Sequence, residues 1–356
     1  MAISFSDLVR RANDDLTAPE QHRIVGAADS EPPRFEVYHA PFSVCSHKVR
    51  FILLERRIPF VSHEVRMNLV DHKAPPPDNY KPGYVRLRLQ GALDARFVSS
   101  YTGQSSVSTE GFDPCVVPTL ADHRRERVVV DSARICAYLD REAVDGPRLI
   151  PDALADAVEE QIALIDKAPH VAVLYGAHPD GDDRPEMLAA GLRGVHDRKI
   201  KHLEALIVSA NGDDHLIAAY KAKIAKEASA KSFVYEPSAM IEAHQRMKAH
   251  VAALEKQLST HNGHWALGDD YTMADIMWTV SLFRLKWLGL GGLWEDSNSA
   301  ARVAAYVMGA FARPSFQDAI VNWPRSTPPT PHIEETAAYA QRVHKAWREM
   351  AARAAQ

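Results

Sequence analysis

The sequence predicts a mixed α/β domain over residues 34–143, followed by an all-helical domain over residues 151–325. In the first region, short runs of alternating apolar and polar residues, typical of strands, are interspersed with helical patterns. In the second region, apolar residues recur at the helical period in one segment after another. Gly146-Pro147 lies between the two patterns, so residues 144–150 are interpreted as a linker.

The composition is that of an ordinary globular protein. Its 356 residues are 46% hydrophobic and 25% charged, and the net charge is −4. This charge provides no basic field for nucleic acid or an anionic membrane, and no apolar run has the length of a transmembrane helix. The three cysteines, Cys45, Cys115 and Cys136, are too few for a disulfide framework. We therefore expect a cytoplasmic protein with reduced thiols, no nucleic-acid partner and no membrane partner.

The α/β domain is expected to follow a surface extension, residues 1–33, that holds a short amphipathic segment. Alternation in residues 34–39 predicts a strand, and the apolar period that follows Cys45 predicts a helix. A second strand is predicted over residues 59–67. These segments form a β-α-β unit with a cysteine at the start of its helix.

A long stretch at residues 68–114 is interpreted as an insertion, which either walls a substrate site or is solvated. Residues 115–131 then predict two strands joined by a polar turn. Pro118 interrupts the first of them, which is typical of an edge, a bulge or a cis peptide bond. Ser132 is predicted to cap a helix over residues 133–142.

Helical periodicity dominates the rest of the chain. It predicts helices at residues 153–167, 188–209, 216–230, 239–258 and 273–288. Thr272 and Asp275 form a capping box, which stabilises a helix start by about 1 kcal/mol. Residues 326–356 are predicted to form an amphipathic helix that packs on the body or on a second subunit. Its apolar face consists of Ile333, Ala337, Ala340, Val343, Trp347 and Met350.

Cys45 is the first candidate for chemistry. The positive end of the helix macrodipole and the unpaired backbone N–H groups of the first turn stabilise a thiolate. His47 and Lys48 would add to this effect if they face the sulfur. The alternative is that Cys45 is a small buried residue, since free cysteine is among the most buried residue types.

Two further patterns are interpreted without a role in chemistry. The lysines of residues 221–231, together with Glu227, predict a charged helix face rather than a nucleic-acid site. No His-Glu-x-x-His pattern occurs, and the aspartates of residues 180–183 are typical of a solvated turn. We therefore expect no metal.

The motifs, in this order, resemble the glutathione transferase superfamily, in which a thioredoxin-like α/β domain precedes an all-helical domain. The resemblance is carried by Ser43-Val-Cys-Ser-His-Lys48, Val117-Pro118, Asp131-Ser132 and Tyr271-Thr-Met-Ala-Asp275. Within the superfamily, the sequence is most similar to the glutathione-dependent reductive dehalogenases of chlorinated hydroquinones, which carry a Ser-x-Cys-Ser turn. Tyr175-Gly176 and the long insertion add to this similarity, and the insertion resembles the dichlorohydroquinone branch in particular.

The resemblance implies that glutathione is the co-substrate and that Ser43 holds its thiolate. The thiolate would displace chloride from a dienone-like tautomer of the hydroquinone. Cys45, the redox nucleophile, would then attack the sulfur of the conjugate, and a second glutathione would resolve the mixed disulfide. Conjugation alone would not need a cysteine, so the pair of Ser43 and Cys45 fits reduction better.

The rest of the glutathione site is also implied by the resemblance. Val117 would pair through its backbone with the cysteinyl part of glutathione, beside a cis peptide bond at Pro118. Asp131 and Ser132 would bind the γ-glutamyl end. A helix N-terminus offers donors to a carboxylate, and an aspartate accepts from an ammonium, so the residue types suit this role.

The aromatic substrate needs a general acid or base for tautomerisation. His170, Tyr175 and His178 lie beside or in a Gly/Asp-rich turn and are candidates, and Arg284 is a candidate for binding a phenolate. The resemblance also implies a homodimer.

Two other functions stay open. A transferase that cleaves aromatic ethers, or a lyase on lignin-type aromatics, would not need Cys45. A transferase-like interaction module without catalysis would need none of Ser43, Cys45 and Ser132.

Overall fold

The computed structural model describes residues 3–26, 32–68, 75–92, 96–104, 107–296, 298–326 and 331–354. Its strands are β1 His22–Val25, β2 Phe35–His39, β3 Phe60–Glu64, β4 Thr119–Asp122 and β5 Arg127–Val130. The helices of the first half are α1 Phe5–Asp14, α2 Val44–Glu55, α3 Pro82–Leu89, α4 Val107–Glu110, α5 Ser132–Glu142, α6 Ala155–Asp166, α7 His170–Tyr175 and α8 Glu186–Leu192. Those of the second half are α9 Val195–Ser209, α10 Asp214–Val234, α11 Pro237–Leu258, α12 Met273–Trp287, α13 Gly292–Glu295, α14 Ala301–Ala312, α15 Pro314–Phe316 and α16 Pro331–Ala354.

The five strands form one mixed sheet in the order β1-β3-β2-β4-β5. β2 and β3 are parallel, with Phe35 opposite Phe60, and α2 makes the crossover between them. The other pairs are antiparallel. The predicted β-α-β unit, the following β-β-α unit and the all-helical second domain are confirmed. The domain boundaries stay predictions.

The prediction of a surface extension over residues 1–33 was wrong for the residues of this range that the structure describes. β1 pairs with β3 and becomes an edge strand of the sheet. α1 buries Leu8, Val9 and Ala12 against the domain. β1 was missed because its four residues are half-exposed and show no alternation of buried and exposed positions.

The predicted insertion contains a helix of the domain rather than loop alone. α3 lies within residues 68–114, begins with Pro82 and buries Tyr84, Val85 and Leu87. Proline at the first helical position costs no hydrogen bond, because that N–H has no partner within a helix. Residues 69–74, 93–95 and 105–106 of this stretch lie outside the described residues.

The helical domain differs from the prediction at one break. The helix predicted over residues 188–209 is two helices, α8 and α9, and Gly194 between them has a φ of 64°. The capping box is confirmed: the Thr272 N–H donates to Asp275 Oδ2 at 2.8 Å. α12 starts there, is buried on nearly every side and packs against both α2 and α6.

The C-terminal helix α16 packs on α14 and buries Ala340 and Val343, so the predicted amphipathic helix is confirmed over these residues. The side chains of Ile333, Trp347 and Met350 lie outside the described residues. Within the described part of the chain, no helix has the length and apolar character needed to cross a membrane.

Candidate active site

A cavity lies where the sheet domain, the insertion and the helical domain meet. Nine of the ten residues predicted from the sequence line it: Ser43, Cys45, Val117, Pro118, Asp131, Ser132, His170, Tyr175 and Arg284. Tyr101, Gln104 and Glu110 of the insertion also line it. The insertion therefore forms a wall of the cavity, which was one of the two alternatives.

Ser43 and Cys45 lie at the N-terminus of α2. Ser43 is the N-cap residue, and its Oγ accepts a weak hydrogen bond from the Ser46 N–H at 3.4 Å. Because a serine hydroxyl accepts and donates at the same time, Ser43 can still donate its proton into the cavity. Ser46, in the first turn of α2, accepts a hydrogen bond from the Ala40 N–H through its Oγ.

Two buried cations create the electrostatic field around Cys45, which is in no disulfide. Lys48 Nζ lies 3.2 Å from Asp166 Oδ1. Burial lowers the pKa of Lys48, but Asp166 and the Cys45 sulfur raise it more, so it stays above the ordinary value. Burial lowers the pKa of Arg284 to about 10, although the charge of Cys45 opposes this shift. Both side chains are cationic at neutral pH, and both interact with the charge of Cys45.

His47 adds no charge to this field. Burial holds the pKa of His47 well below its ordinary value, and its Nε2 hydrogen-bonds the Pro41 carbonyl at 2.8 Å. The expectation that His47 would help the thiolate was therefore wrong. The neutral imidazole instead fixes the turn that precedes α2.

The loop before β4 provides the opposite edge of the cavity. The Val117–Pro118 peptide bond is cis, as one of the sequence alternatives predicted. Pro118 comes just before β4 rather than within it, so the strand can lie inside the sheet between β2 and β5.

Asp131, and not Ser132, caps α5. Asp131 has a φ of 74°, and its Oδ1 accepts hydrogen bonds from the N–H groups of Ala133 and Arg134 at 3.0 and 3.2 Å. Its Oδ2 accepts from the Val107 N–H at 3.1 Å. The predicted cap at Ser132 was wrong, and among the described residues the Ser132 hydroxyl has no hydrogen-bond partner.

His170 and His178 differ in position. His170 lines the cavity, its Nε2 is 2.9 Å from Ser281 Oγ, and burial holds the pKa of His170 well below its ordinary value. His178 does not line the cavity, which contradicts the prediction, because the chain leaves the cavity where α7 ends at Tyr175. The His178 Nδ1 lies 3.6 Å from Asp180 Oδ2, at the surface.

Sequence reasoning missed a set of six charged side chains on the cavity wall. All are buried, so the predicted charged face of α10 is in part an internal one. The signal was present, because these α10 residues share the helical spacing of Ala219, Tyr220 and Ala230, which are buried. We call the set the ion-pair ladder: Glu110, Asp113, Lys199, Lys223, Lys226 and Glu227.

The ladder alternates cations and carboxylates. Lys226 Nζ is 2.6 Å from Glu110 and 3.3 Å from Asp113. Lys223 Nζ is 2.8 Å from Asp113 and 2.9 Å from Glu227. Lys199 Nζ also pairs with Glu227, at 3.2 Å. Three positive and three negative charges balance within it. No group of side chains suited to a metal ion occurs in the described part of the chain.

The comparisons with known proteins agree with this architecture. The sequence matches the N-terminal domain of glutathione S-transferases over residues 42–142 and their C-terminal domain over residues 217–307. It is 43% identical over 340 residues to the 2,5-dichlorohydroquinone reductive dechlorinase of Sphingobium indicum, a match that covers 92% of this chain and 97% of that protein. The chain belongs to the glutathione S-transferase family.

Other relatives of this glutathione transferase are more distant. The tetrachloro-p-hydroquinone reductive dehalogenase of Sphingobium chlorophenolicum is 25% identical over 300 residues, 82% of this chain and 98% of that one. The crystal structure of the beta-etherase LigF from Sphingobium sp. strain SYK-6 superposes with a TM-score of 0.53 at 15% identity, covering 80% of this chain and 98% of that one. The predicted glutathione transferase fold is thereby confirmed.

Proposed function

We propose that this glutathione transferase is a glutathione-dependent reductive dehalogenase of chlorinated hydroquinones. The observation that carries the proposal is the placement of Cys45 beside Ser43 at the start of α2, on the cavity and near the buried cations Lys48 and Arg284. Glutathione conjugation needs a stabilised glutathione thiolate but no second thiol. The 43% identity to a 2,5-dichlorohydroquinone reductive dechlorinase supports the same reaction.

Glutathione binds along the sheet edge of the cavity. The Val117 backbone pairs with the cysteinyl part of glutathione beside cis-Pro118. Ser132 donates its hydroxyl to the γ-glutamyl carboxylate, which the positive end of the α5 helix dipole also attracts. The Asp131 carboxylate attracts the γ-glutamyl ammonium while it caps the helix.

The reaction proceeds in three thiol steps. Ser43 donates a hydrogen bond to the glutathione thiolate, which attacks the chlorinated carbon of the keto tautomer and displaces chloride. The Cys45 thiolate then attacks the sulfur of the conjugate, so that the C–S bond breaks and a mixed disulfide forms. A second glutathione thiolate attacks this disulfide, releasing oxidised glutathione and restoring Cys45.

The aromatic ring occupies the cavity between Cys45 and α7. Arg284 is the candidate for holding a phenolate, because its guanidinium is buried and cationic. His170 is a weak base because its pKa is so far lowered, and Tyr175 is the better candidate for proton transfer. We also propose a cytoplasmic homodimer, as the family resemblance implies, which size-exclusion chromatography with light scattering tests.

The test is a product analysis with excess glutathione and 2,5-dichlorohydroquinone under anaerobic conditions. We expect the wild-type protein to release chloride and chlorohydroquinone. Cys45→Ser removes the second nucleophile, so chloride should still be released but a glutathionyl conjugate should accumulate, which mass spectrometry would detect. Cys136→Ser, which changes a buried core thiol on α5, is the matched control and keeps the wild-type product.

Two outcomes would overturn the proposal. Chlorohydroquinone release by Cys45→Ser at the wild-type rate would exclude the mixed disulfide. Absence of chloride from the wild-type protein would exclude dehalogenation, and aromatic ethers would then be tested as substrates.

A further inference from the structure

Tyr175 lines the cavity with its hydroxyl already fixed by a buried lysine. Lys199 Nζ lies 3.1 Å from Tyr175 Oη and 4.4 Å from the centre of the Tyr175 ring. The Lys199 side chain is 8% exposed, whereas Tyr175 is half-buried and lines the cavity. The contact thus joins a wall residue to a residue that a ligand can reach.

The direction of this hydrogen bond determines where the tyrosine proton points. Burial lowers the pKa of Lys199, but Glu227 and Tyr175 raise it more, so the amine is an ammonium. An ammonium has three donors and no acceptor, so Tyr175 Oη must accept from it. The Tyr175 O–H is therefore available as a donor, and among the described residues no acceptor takes it.

The ion-pair ladder holds Lys199 in place. Glu227 accepts from Lys199 at 3.2 Å, from Lys223 at 2.9 Å and from the His196 ring at 2.7 Å. Burial lowers the pKa of His196, so the imidazole is neutral and adds no competing charge. The Lys199 ammonium that contacts the Tyr175 hydroxyl is consequently held by Glu227 in one position.

Arg284 interacts electrostatically with both Tyr175 and Cys45. The charges of Cys45 and Tyr175 both raise the pKa of Arg284, against the larger lowering by burial. All three side chains line the same cavity. A ring bound between Cys45 and Tyr175 would present its reacting carbon to the sulfur and an oxygen to the tyrosine.

We propose that Tyr175, aimed by Lys199, binds one oxygen of the hydroquinone and stabilises it as negative charge develops there. The inference rests on the proposed function and adds a residue to its reductive step. It assigns Tyr175 as a catalytic residue and Lys199 as a positioning residue.

The reductive step breaks the C–S bond of the conjugate. In the keto tautomer of the conjugate, the Cys45 thiolate forms an S–S bond with the glutathione sulfur and the C–S bond breaks. The electron pair of the C–S bond moves through the ring to the carbonyl oxygen, which becomes a phenolate. The carbon is reduced and the two sulfurs are oxidised to a disulfide. The phenolate takes the Tyr175 proton, Lys199 stabilises the tyrosinate, and solvent returns the proton.

A binding experiment tests this site without requiring turnover. Dissociation constants are measured for 4-nitrophenolate and for nitrobenzene, which has the same nitro-substituted ring but no phenolate oxygen. We expect Tyr175→Phe and Lys199→Met to weaken 4-nitrophenolate binding about tenfold or more. Tyr175→Phe loses the charge-assisted hydrogen bond to the phenolate, and Lys199→Met loses the ammonium that orients the Tyr175 hydroxyl. Nitrobenzene binding should stay the same, and Lys199→Arg should retain most of the preference. Tyr235→Phe, at an exposed tyrosine outside the cavity, should match the wild-type protein.

The kinetic counterpart uses 2,5-dichlorohydroquinone. Tyr175→Phe should slow chlorohydroquinone release about tenfold while the KM for glutathione is unchanged, and the conjugate should accumulate in part. Equal binding of 4-nitrophenolate by wild type and Tyr175→Phe would overturn the inference, as would unchanged chlorohydroquinone release. Failure of the proposed function has a different signature, because the wild-type protein would then release no chloride even if it binds 4-nitrophenolate through Tyr175.

Discussion

Asp131 and Ser132 are neighbours at the start of α5, but only Asp131 caps the helix. Asp131 caps the helix through Oδ1 and holds Val107 of α4 through Oδ2. Ser132 is buried at the cavity and caps nothing. Ser132→Ala should therefore affect the affinity for glutathione alone, whereas Asp131→Ala should affect both that affinity and the stability of the domain.

We expect Ser132→Ala to weaken glutathione binding several-fold and to leave the free energy of unfolding unchanged. Asp131→Ala should lower the free energy of unfolding by about 1 to 2 kcal/mol, because a helix cap is lost and alanine is disfavoured at positive φ. Asp131→Asn keeps an acceptor oxygen and tolerates positive φ, so it should be the milder variant. Calorimetric titration with glutathione and urea unfolding measure the two effects. A destabilised Ser132→Ala with normal affinity would contradict this division.

At the scale of elements, the active-site turn before α2 is held by residues distant in sequence. The Pro41 carbonyl accepts from Arg50 at 2.6 Å, from His47 at 2.8 Å and from Ser326 Oγ at 3.1 Å. Arg284 of α12 donates to the Phe42 carbonyl. The segment that follows the helical domain thus returns to fix the turn that presents Ser43 and Cys45.

Ser326→Ala should lower the free energy of unfolding by about 1 kcal/mol, the net value of one hydrogen bond. It should also reduce the rate of chloride release, because the turn loses a donor that fixes its position. The matched control is Ser209→Ala, whose hydroxyl bonds only the Leu206 carbonyl of its own helix at the surface. Chloride release by Ser326→Ala at the wild-type rate would show that Arg50 and His47 suffice to hold the turn.

The elements that the sequence predicts correctly are those with a long apolar period or a local cap, such as α2, α12 and its capping box. β1 and α3 were missed because their signals are weak: one is a short edge strand, and the other alternates Arg with apolar residues in a strand-like pattern. Among site residues, Cys45 and Asp131-Ser132 stand beside helix starts that the sequence reveals. Lys199 and Glu227 belong to different helices, and only the packing of α9 against α10 brings them together.

At the scale of the whole molecule, the ion-pair ladder joins the insertion to the helical domain. Asp113 belongs to the insertion and pairs with Lys223 and Lys226 of α10, and its Oδ1 accepts from the Cys115 N–H at 2.9 Å. Removing one member of a buried ion pair is costly, because the partner charge stays buried without compensation. The ladder should accordingly be a main determinant of how firmly the insertion closes the cavity.

Asp113→Asn should lower the free energy of unfolding by about 3 to 5 kcal/mol at neutral pH. Burial raises the pKa of Asp113, but Lys223 and Lys226 lower it further, so the net pKa lies below the ordinary value. A carboxyl with a lowered pKa in the folded state contributes stability above its unfolded pKa, about 3.9, and loses it as the pH falls towards the folded value. The difference in melting temperature between the wild-type protein and Asp113→Asn should therefore be constant from about pH 5 to 8 and shrink below about pH 4. Asp197→Asn, which breaks an exposed pair with Lys231, should change the melting temperature little at any pH. A difference for Asp113→Asn that persists undiminished in acid would mean that packing, and not charge, joins the insertion to α10.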